Sequence, residues 1–463
     1  MNLIEKIETD FKDVPDLIII KENIAKKPVY IVFLETITSG LSINNYILKY
    51  IVDKGAKKLK GILPGPNINE ILESEIESYL TSGFTIIFDD KIIYAVETKA
   101  ELSRGISDTE IEKGIYSPKD SLVENYQTNI GLVKRRIKSK DLKVIENKLG
   151  KYTNTVAGVM YIDSIAKKEL INDVLVKLKD INTEAVLATG DLKQFLIKEN
   201  KNVFPSVKVT ERPDTIVKAL LEGKVVIMVD TSPFALIIPT VLADFINPSI
   251  DDYTSSINVN FLKILRLICF FITIIAPAYY IAITIYNPET LPTGLLMNIA
   301  KQRIGVPFPT IIEAIIMLFI IEILRESDLR FPASYGSAIS IIGALILGES
   351  AVSAGIASSI MIIVVAITFV SSLMFNDIEI NSAIRAWRYV FLAFGAFYGL
   401  YGIALAFLLF LINLSSFKTY GLPYLFPITP FDRAYMKETL IKDEKSHHLF
   451  RSKYLTDNIR KQR

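Results

Sequence analysis

The sequence predicts an α/β cytoplasmic N-terminal region of two subdomains followed by an α-helical multi-span membrane domain. Three observations predict it. Over roughly the first 260 residues charged and apolar side chains interleave, after which about 150 residues stay apolar with only short polar interruptions. Within the charged part, short β-rich runs alternate with amphipathic helical ones, the pattern of α/β layers. The opening MNLIEKIETDFKD carries acidic residues and lacks an apolar core, so it does not read as a secretory signal and the region is expected to stay in the cytoplasm.

Composition excludes several chemistries. The 463 residues carry 52 Lys and Arg against 50 Asp and Glu, so no global field points to nucleic acid as a partner. The single cysteine, Cys269, lies in an apolar run, which rules out a disulfide framework within one chain. Both histidines, His447 and His448, sit in the polar tail, so a Ser-His-Asp site or a His-ligated zinc would have to be built from that tail. No GxxxxGK[ST] loop and no strand-linked GxGxxG occurs. No metal or cofactor and no enzymatic activity are expected.

Along the chain, five regions are predicted. They are a first α/β subdomain (1–100), a charged helical connector (101–150), a second α/β subdomain (151–255), a membrane domain of four or five spans (256–415) and a polar tail (416–463). In the first, Val29 to Leu34 reads as a strand, Asn67 to Thr81 has helical spacing, and FTIIFDDKIIYAV reads as a hairpin turning at Asp89 and Asp90. In the second subdomain VAGVMYI is strand-like, Ile165 to Leu178 is an amphipathic helix, and AVLAT is a further strand. Pro213 starts a helix that Gly223 ends, and strands VVIMVD and FALIIPT follow. The connector holds the sharpest basic cluster, Lys134, Arg135, Arg136 and Lys138. It is either a contact for anionic lipid or an acidic partner, or a solvated face paired with Glu110, Glu112 and Asp120.

The apolar part divides unevenly. Leu262 to Tyr286 is a first span, with Arg266 near its entry and Pro277 as a kink. A segment punctuated by prolines at 288, 292, 307 and 309 is too polar to cross and reads as interfacial or re-entrant. Thr310 to Ile323 is a second span containing Glu313, with Glu322 spaced to pair with Arg325. From Ala338 to Phe375 one ionisable side chain occurs, Glu349; as a single helix this run would measure about 57 Å, so it must protrude, tilt strongly or break, with Gly348 as the natural break. Tyr389 to Leu414 is a last span, anchored by Trp387 and Tyr389.

Projected at 100° per residue from Glu349, the side chains of Ser353, Ile356, Ile360, Ile363, Ile367 and Ser371 share one face, and Ala351, Gly355 and Ser359 form a small-residue ladder on the other. A polar end, an apolar middle and a packing face suit a pore with a hydrophobic gate. Isoleucines turned to lipid with only the ladder buried satisfy the same periodicity.

The chain resembles the A subunits of the nutrient germinant receptors of bacterial spores, the GerA type, from about Glu101 to Asp432. The resemblance rests on EKGIYSPKDSLVENYQTNIGLVKRRIKSKDLK, VTERPDTIVKALLEGKVVIMVDTSPFALIIPT and the DDY at 251 to 253. In the apolar half it rests on LPTGLLMNIAKQRIGVPFP, EILRESDLRFP, GALILGESAVSAGIASS with IVVAIT, and YGLPYLFPITPFD. SPKD at 117 to 120 departs from an acidic Pro-Arg-Glu-like turn, and the first hundred residues match loosely. The resemblance implies a homo-oligomer of A subunits in the spore inner membrane, working with a permease-like B subunit and a lipoprotein C subunit. It further implies a nutrient-gated release of monovalent cations. On this reading Glu349, Ser353, Ile356, Ile360, Ile363 and Ile367 line the ion pathway, and Ala351, Gly355 and Ser359 pack helices. A non-conducting signalling scaffold and a secondary transporter are the alternatives.

Overall fold

The computed structural model describes residues 3–24, 27–49, 68–89, 92–100, 116–197, 202–330, 348–375, 377–432, 436, 451 and 453–457. Two five-stranded sheets account for the charged half. The first has the order β1-β2-β4-β5-β3, from Leu17–Ile24, Lys27–Leu34, Ile68–Ile71, Phe84–Asp89 and Ile92–Glu97. The second has the order β6-β7-β9-β10-β8, from Leu142–Leu149, Thr155–Ile162, Lys208–Thr210, Val225–Val229 and Ala235–Ile238. Every pairing within these two sheets is antiparallel.

Helices cover both faces of the second sheet, and this explains why its central strand reads VVIMV without alternation. On one face Val226, Met228 and Ile237 pack under α3 (Tyr126–Lys134) and α6 (Pro213–Leu221). On the other face Val225, Ile227 and Val229 pack under α4 (Lys168–Lys179) and α5 (Thr189–Ile197). The first sheet is likewise lined on both sides, by α1 (Leu3–Asp10) and α2 (Ile76–Leu80) against Val32 and Ile86, and by Ile43 and Ile47 against Ile31 and Ile87.

Several elements differ from the sequence reading. Asn67 to Thr81 is not one helix: Ile68–Ile71 pairs with β5 in the first sheet, and only Ile76–Leu80 is α-helical, because edge pairing overrides the helical spacing. AVLAT at 185–189 is not a strand; its last residue opens α5. Helix α3 and strand β6 are built into the second core, so that layer takes in residues assigned above to the connector. Asp90, Glu110, Glu112, His447 and His448 lie outside the described residues.

The two sheets are joined by buried chemistry. Lys134 forms an ion pair with Asp16, whose other oxygen accepts from the Thr36 hydroxyl. Burial depresses the Lys134 ammonium below its ordinary range despite that carboxylate. The Val144 amide donates to the Asp13 carbonyl at 3.0 Å and the Lys143 ammonium to the Asp10 carbonyl at 2.8 Å.

In the apolar half, α7 (Ser256–Tyr286) leaves the second sheet domain and runs to a far end. There α8 (Thr293–Arg303) and the start of α9 (Thr310–Arg330) are found. Helix α10 (Ser359–Ser372) starts beside the start of α9 and ends with Phe375 against Phe270, in the first half of α7. It therefore returns toward the sheet domain.

The last helix, α11 (Ile378–Ser416), is folded in two. Gly399 takes φ 60° and ψ −142°, a conformation closed to residues with a Cβ, and the chain reverses there. Trp387 and Phe410 meet at 5.1 Å between ring centroids, whereas in a straight helix they would stand about 35 Å apart. A side chain on Gly402 would overlap the Phe394 carbonyl, so the arms touch backbone to backbone near the tip. The arms 378–398 and 400–416 measure about 31 Å and about 25 Å. The span read above over Tyr389 to Leu414 is thus corrected to a helical hairpin, which FGAFYGLYG permits through its glycines. Both feet stand at the sheet domain: Glu379 pairs with Lys193, and the Thr419 hydroxyl donates to the Thr240 carbonyl at 2.9 Å. Among the described residues, α7 and α11 are the helices long and apolar enough to cross a membrane.

Candidate functional site

Among the described residues of the apolar half, one carboxylate has no exposure at all, Glu313, in the first turn of α9. Its Oε1 accepts from the backbone amide of Ser358 at 2.6 Å and from the Ser358 hydroxyl at 2.7 Å. Ser358 is the N-cap of α10, and its own oxygen also accepts from the Met361 amide. An acidic side chain from one helix therefore holds the N-terminus of the next, where unpaired amides and the helix dipole favour negative charge.

The chain can make this clasp because it breaks just upstream. Gly355 takes φ +66°, and a Cβ there would lie 2.8 Å from the Gly305 carbonyl oxygen. Gly348 is the first described residue of a helical stretch, 348–353, and an interruption falls at 354–358. Because helical phase is reset, the continuous face projected from Glu349 does not exist. Ser371, projected onto it, is buried. Within α10 the exposed stripe comprises Ile363, Ala366, Ile367 and Val370, with Ile363 56% and Ile367 50% exposed. Ile360 is partly buried. Glu349, Ser353 and Ile356 are exposed ahead of α10. Of the small residues, Ala351 is buried in this chain's own core beside Ala314 and Met361, Gly355 meets Gly305, and Ser359 is partly buried.

Glu322 pairs with Arg385 and, at 3.6 Å, with Arg388 of the hairpin's first arm, so its ion pairs cross between helices instead of closing on Arg325 as the spacing suggested. The basic cluster divides as well. Lys134 is buried on Asp16 and Arg136 grips both oxygens of Asp120, at 2.7 and 2.5 Å; Arg135 and Lys138 are exposed.

A belt of ion pairs ties the sheet domain to the apolar helices. Arg266 in α7 holds Asp251 at 2.5 and 2.9 Å, Lys218 pairs with Asp252 at 2.8 Å, and Lys224 pairs with Asp244 at 2.6 Å. Lys193 of α5 reaches Glu379 at the foot of the hairpin. Burial holds the Lys193 ammonium down at about 8, with Asp377 opposing the shift. Sequence reasoning missed Glu313 and Lys193 as site members because each partner is remote in sequence; the one local signal was Ser358 standing before an apolar run, an N-cap pattern.

Spore germination protein KA of Bacillus subtilis (strain 168) is 35% identical, covering 87% of this chain and 77% of that protein. The uncharacterized membrane protein YfkQ of the same organism is 30% identical, covering 89% of this chain and 82% of that protein. The crystal structure of the N-terminal domain of the A subunit of the Bacillus megaterium spore germinant receptor GerK3 aligns with 50% of this chain and 92% of its own, at 24% identity and a TM-score of 0.39. With residues 5–454 matched to its profile, this chain belongs to the Bacillus/Clostridium GerA spore germination protein family.

Proposed function

We propose that the chain is the oligomerising membrane subunit of a nutrient germinant receptor, with its sheet domains in the cytoplasm and its helices in the spore inner membrane. Copies gather around an axis and gate the release of monovalent cations, in a complex with a permease-like B subunit and a lipoprotein C subunit. The observation that carries this reading is the uncovered apolar stripe of α10, Ile363, Ala366, Ile367 and Val370, with Glu349 and Ser353 exposed just ahead of it. A ring of such stripes makes a dry constriction that blocks ions by dewetting, and a ring of carboxylates at its mouth concentrates cations. The small-residue ladder is largely spent within the chain, which leaves the hairpin's outer face for neighbouring copies while the stripe faces the axis.

Gating is read through the ion-pair belt. A tilt of the sheet domain is passed to the hairpin foot by Lys193 and Glu379 and to α7 by Asp251 and Arg266. The test is potassium release from spores carrying Glu349→Gln or Ile363→Ser. The expected results are slower release in the first and leak without nutrient in the second. Wild-type release in both, with no leak, removes this face from the pathway.

A further inference from the structure

Between α9 and the first arm of α11, three guanidiniums share one carboxylate. Arg385 donates to Oε1 of Glu322, and Arg388 approaches Oε2 at 3.6 Å. Arg325, one turn beyond Glu322 on α9, is felt electrostatically at Arg388 and makes no ion pair among the described residues. Arg385 also donates to the Ser382 hydroxyl at 2.8 Å, and Arg388 hydrogen-bonds Tyr389, whose ring centre lies 5.6 Å away. Neither contact supplies negative charge. Guanidinium stays ionised in proteins, so three cations against Glu322 leave an excess of two positive charges. The Arg388 side chain is 4% exposed, whereas those of Glu322 and Arg385 are 25% and 26% exposed, which gives the cluster a buried floor and an open mouth.

The cluster stands close to the sheet-domain end of the helices. Trp387, beside Arg388, meets Phe410, and Phe410 meets Phe270 at 6.2 Å. Phe270 is one helical turn, about 6 Å, from Arg266, which holds Asp251 of the sheet domain. Trp, Tyr and Arg at such a depth mark the boundary between hydrocarbon and headgroups. Uncompensated charge beside apolar helices calls for an anion, and the fork of arginine matches phosphate oxygens two at a time. Ile323 and Tyr389, exposed on the same two helices, offer apolar surface to acyl chains. Basic pockets between spanning helices take anionic headgroups on just these terms. We propose that Arg325, Arg385 and Arg388 bind the phosphate of an anionic phospholipid from the leaflet nearest the sheet domains, seated between α9 and the first arm of α11. This rests on the membrane placement proposed above and is independent of the cation-release role.

The test is thermal unfolding of the full chain in neutral detergent, titrated with phosphatidylglycerol, phosphatidylcholine or inorganic phosphate at constant ionic strength. The wild-type Tm rises and saturates with phosphatidylglycerol and ignores the other two. Arg325→Gln breaks no ion pair, so the fold survives, and it raises the half-saturating lipid concentration about tenfold or more, the loss of one charge-assisted contact. Lys151→Gln, on the exposed surface of the second sheet domain, leaves the titration unchanged. An equal response to phosphatidylcholine, or a phosphatidylglycerol response that Arg325→Gln does not weaken, overturns the proposal. Saturation by inorganic phosphate overturns it in favour of a free anion. A Tm indifferent to all three overturns it too, and if Arg325→Gln then disperses an oligomer, the cluster meets an acidic side chain of a second copy. Flotation after reconstitution into phosphatidylcholine vesicles separates the site from the placement beneath it. A chain that floats yet ignores phosphatidylglycerol sinks the site alone; a chain that does not float sinks the placement and the site together.

Discussion

Substituting Gly399 by alanine attacks the reversal on which the orientation of the second arm of α11 depends. The φ 60°, ψ −142° backbone costs a Cβ-bearing residue roughly 1–3 kcal/mol. The new methyl would stand 2.9 Å from Cβ and Cγ of Tyr286, and overpacking of that kind costs about 1–3 kcal/mol. Together the two terms predict a loss of roughly 2–6 kcal/mol, visible as a lowered Tm of the detergent-solubilised chain. The geometry has its own assay. With Cys269 replaced by serine, single cysteines at Tyr152, Tyr401 and Ser415 are labelled by a membrane-impermeant maleimide in oriented vesicles. For a hairpin that crosses the bilayer and returns, the expected labelling puts Tyr152→Cys and Ser415→Cys on one side and Tyr401→Cys on the other. Labelling of Ser415→Cys from the side opposite Tyr152→Cys refutes the reversal, and Gly399→Ala with an unchanged Tm refutes the cost assigned to it.

Removing one member of the Lys134 and Asp16 pair, as Lys134→Met or Asp16→Leu, costs about 3–5 kcal/mol, while the double variant loses far less; a double-mutant cycle by denaturant unfolding reads the coupling. Glu322→Gln leaves Arg385 and Arg388 uncompensated and lowers stability by a comparable few kcal/mol, whereas pairing it with Arg385→Met and Arg388→Met restores most of the loss in the same unfolding assay. The folded Lys193 titrates at about 8 and the unfolded one near 10.4, so between those pH values the unfolded chain holds a proton that the folded chain lacks and stability rises with pH. Over the same window the charged contact to Glu379 is lost, and hydrogen exchange at the first turn of α11 accelerates above pH 8 by more than its intrinsic base-catalysed rise; Lys193→Met leaves only the intrinsic rise.

The charged half was largely legible because burial imposes simple periods. VVIMV, covered on both faces, declares itself by continuity, and FTIIFDDKIIYAV by two strands around a turn. Where edge pairing competes with helical spacing, as at Ile68–Ile71, the local pattern misleads. Strand Leu142–Leu149 went unread because its charged outer residues, Glu146 and Lys148, resemble connector sequence. In the apolar half, hydropathy finds apolar length without direction. It cannot tell a straight helix over Tyr389 to Leu414 from one that doubles back at Gly399. The clasp was illegible for another reason: Glu313 and Ser358 lie 45 positions apart, and only packing brings a carboxylate to a capping serine.

Residues 453–457 close the second sheet domain from outside. The Leu455 carbonyl oxygen sits 2.9 Å from where a Cβ on Gly223 would lie, the Thr456 hydroxyl donates to the Ile165 carbonyl, and Leu455 packs with Val241, Leu422 and Phe426. That domain therefore cannot be finished in the order it is translated. Its wall stays open until every downstream helix and this late stretch have left the ribosome. A fusion that interrupts the stretch would wound a fold encoded more than two hundred codons earlier, so a reporter on this protein is better carried by the exposed surface around Tyr152.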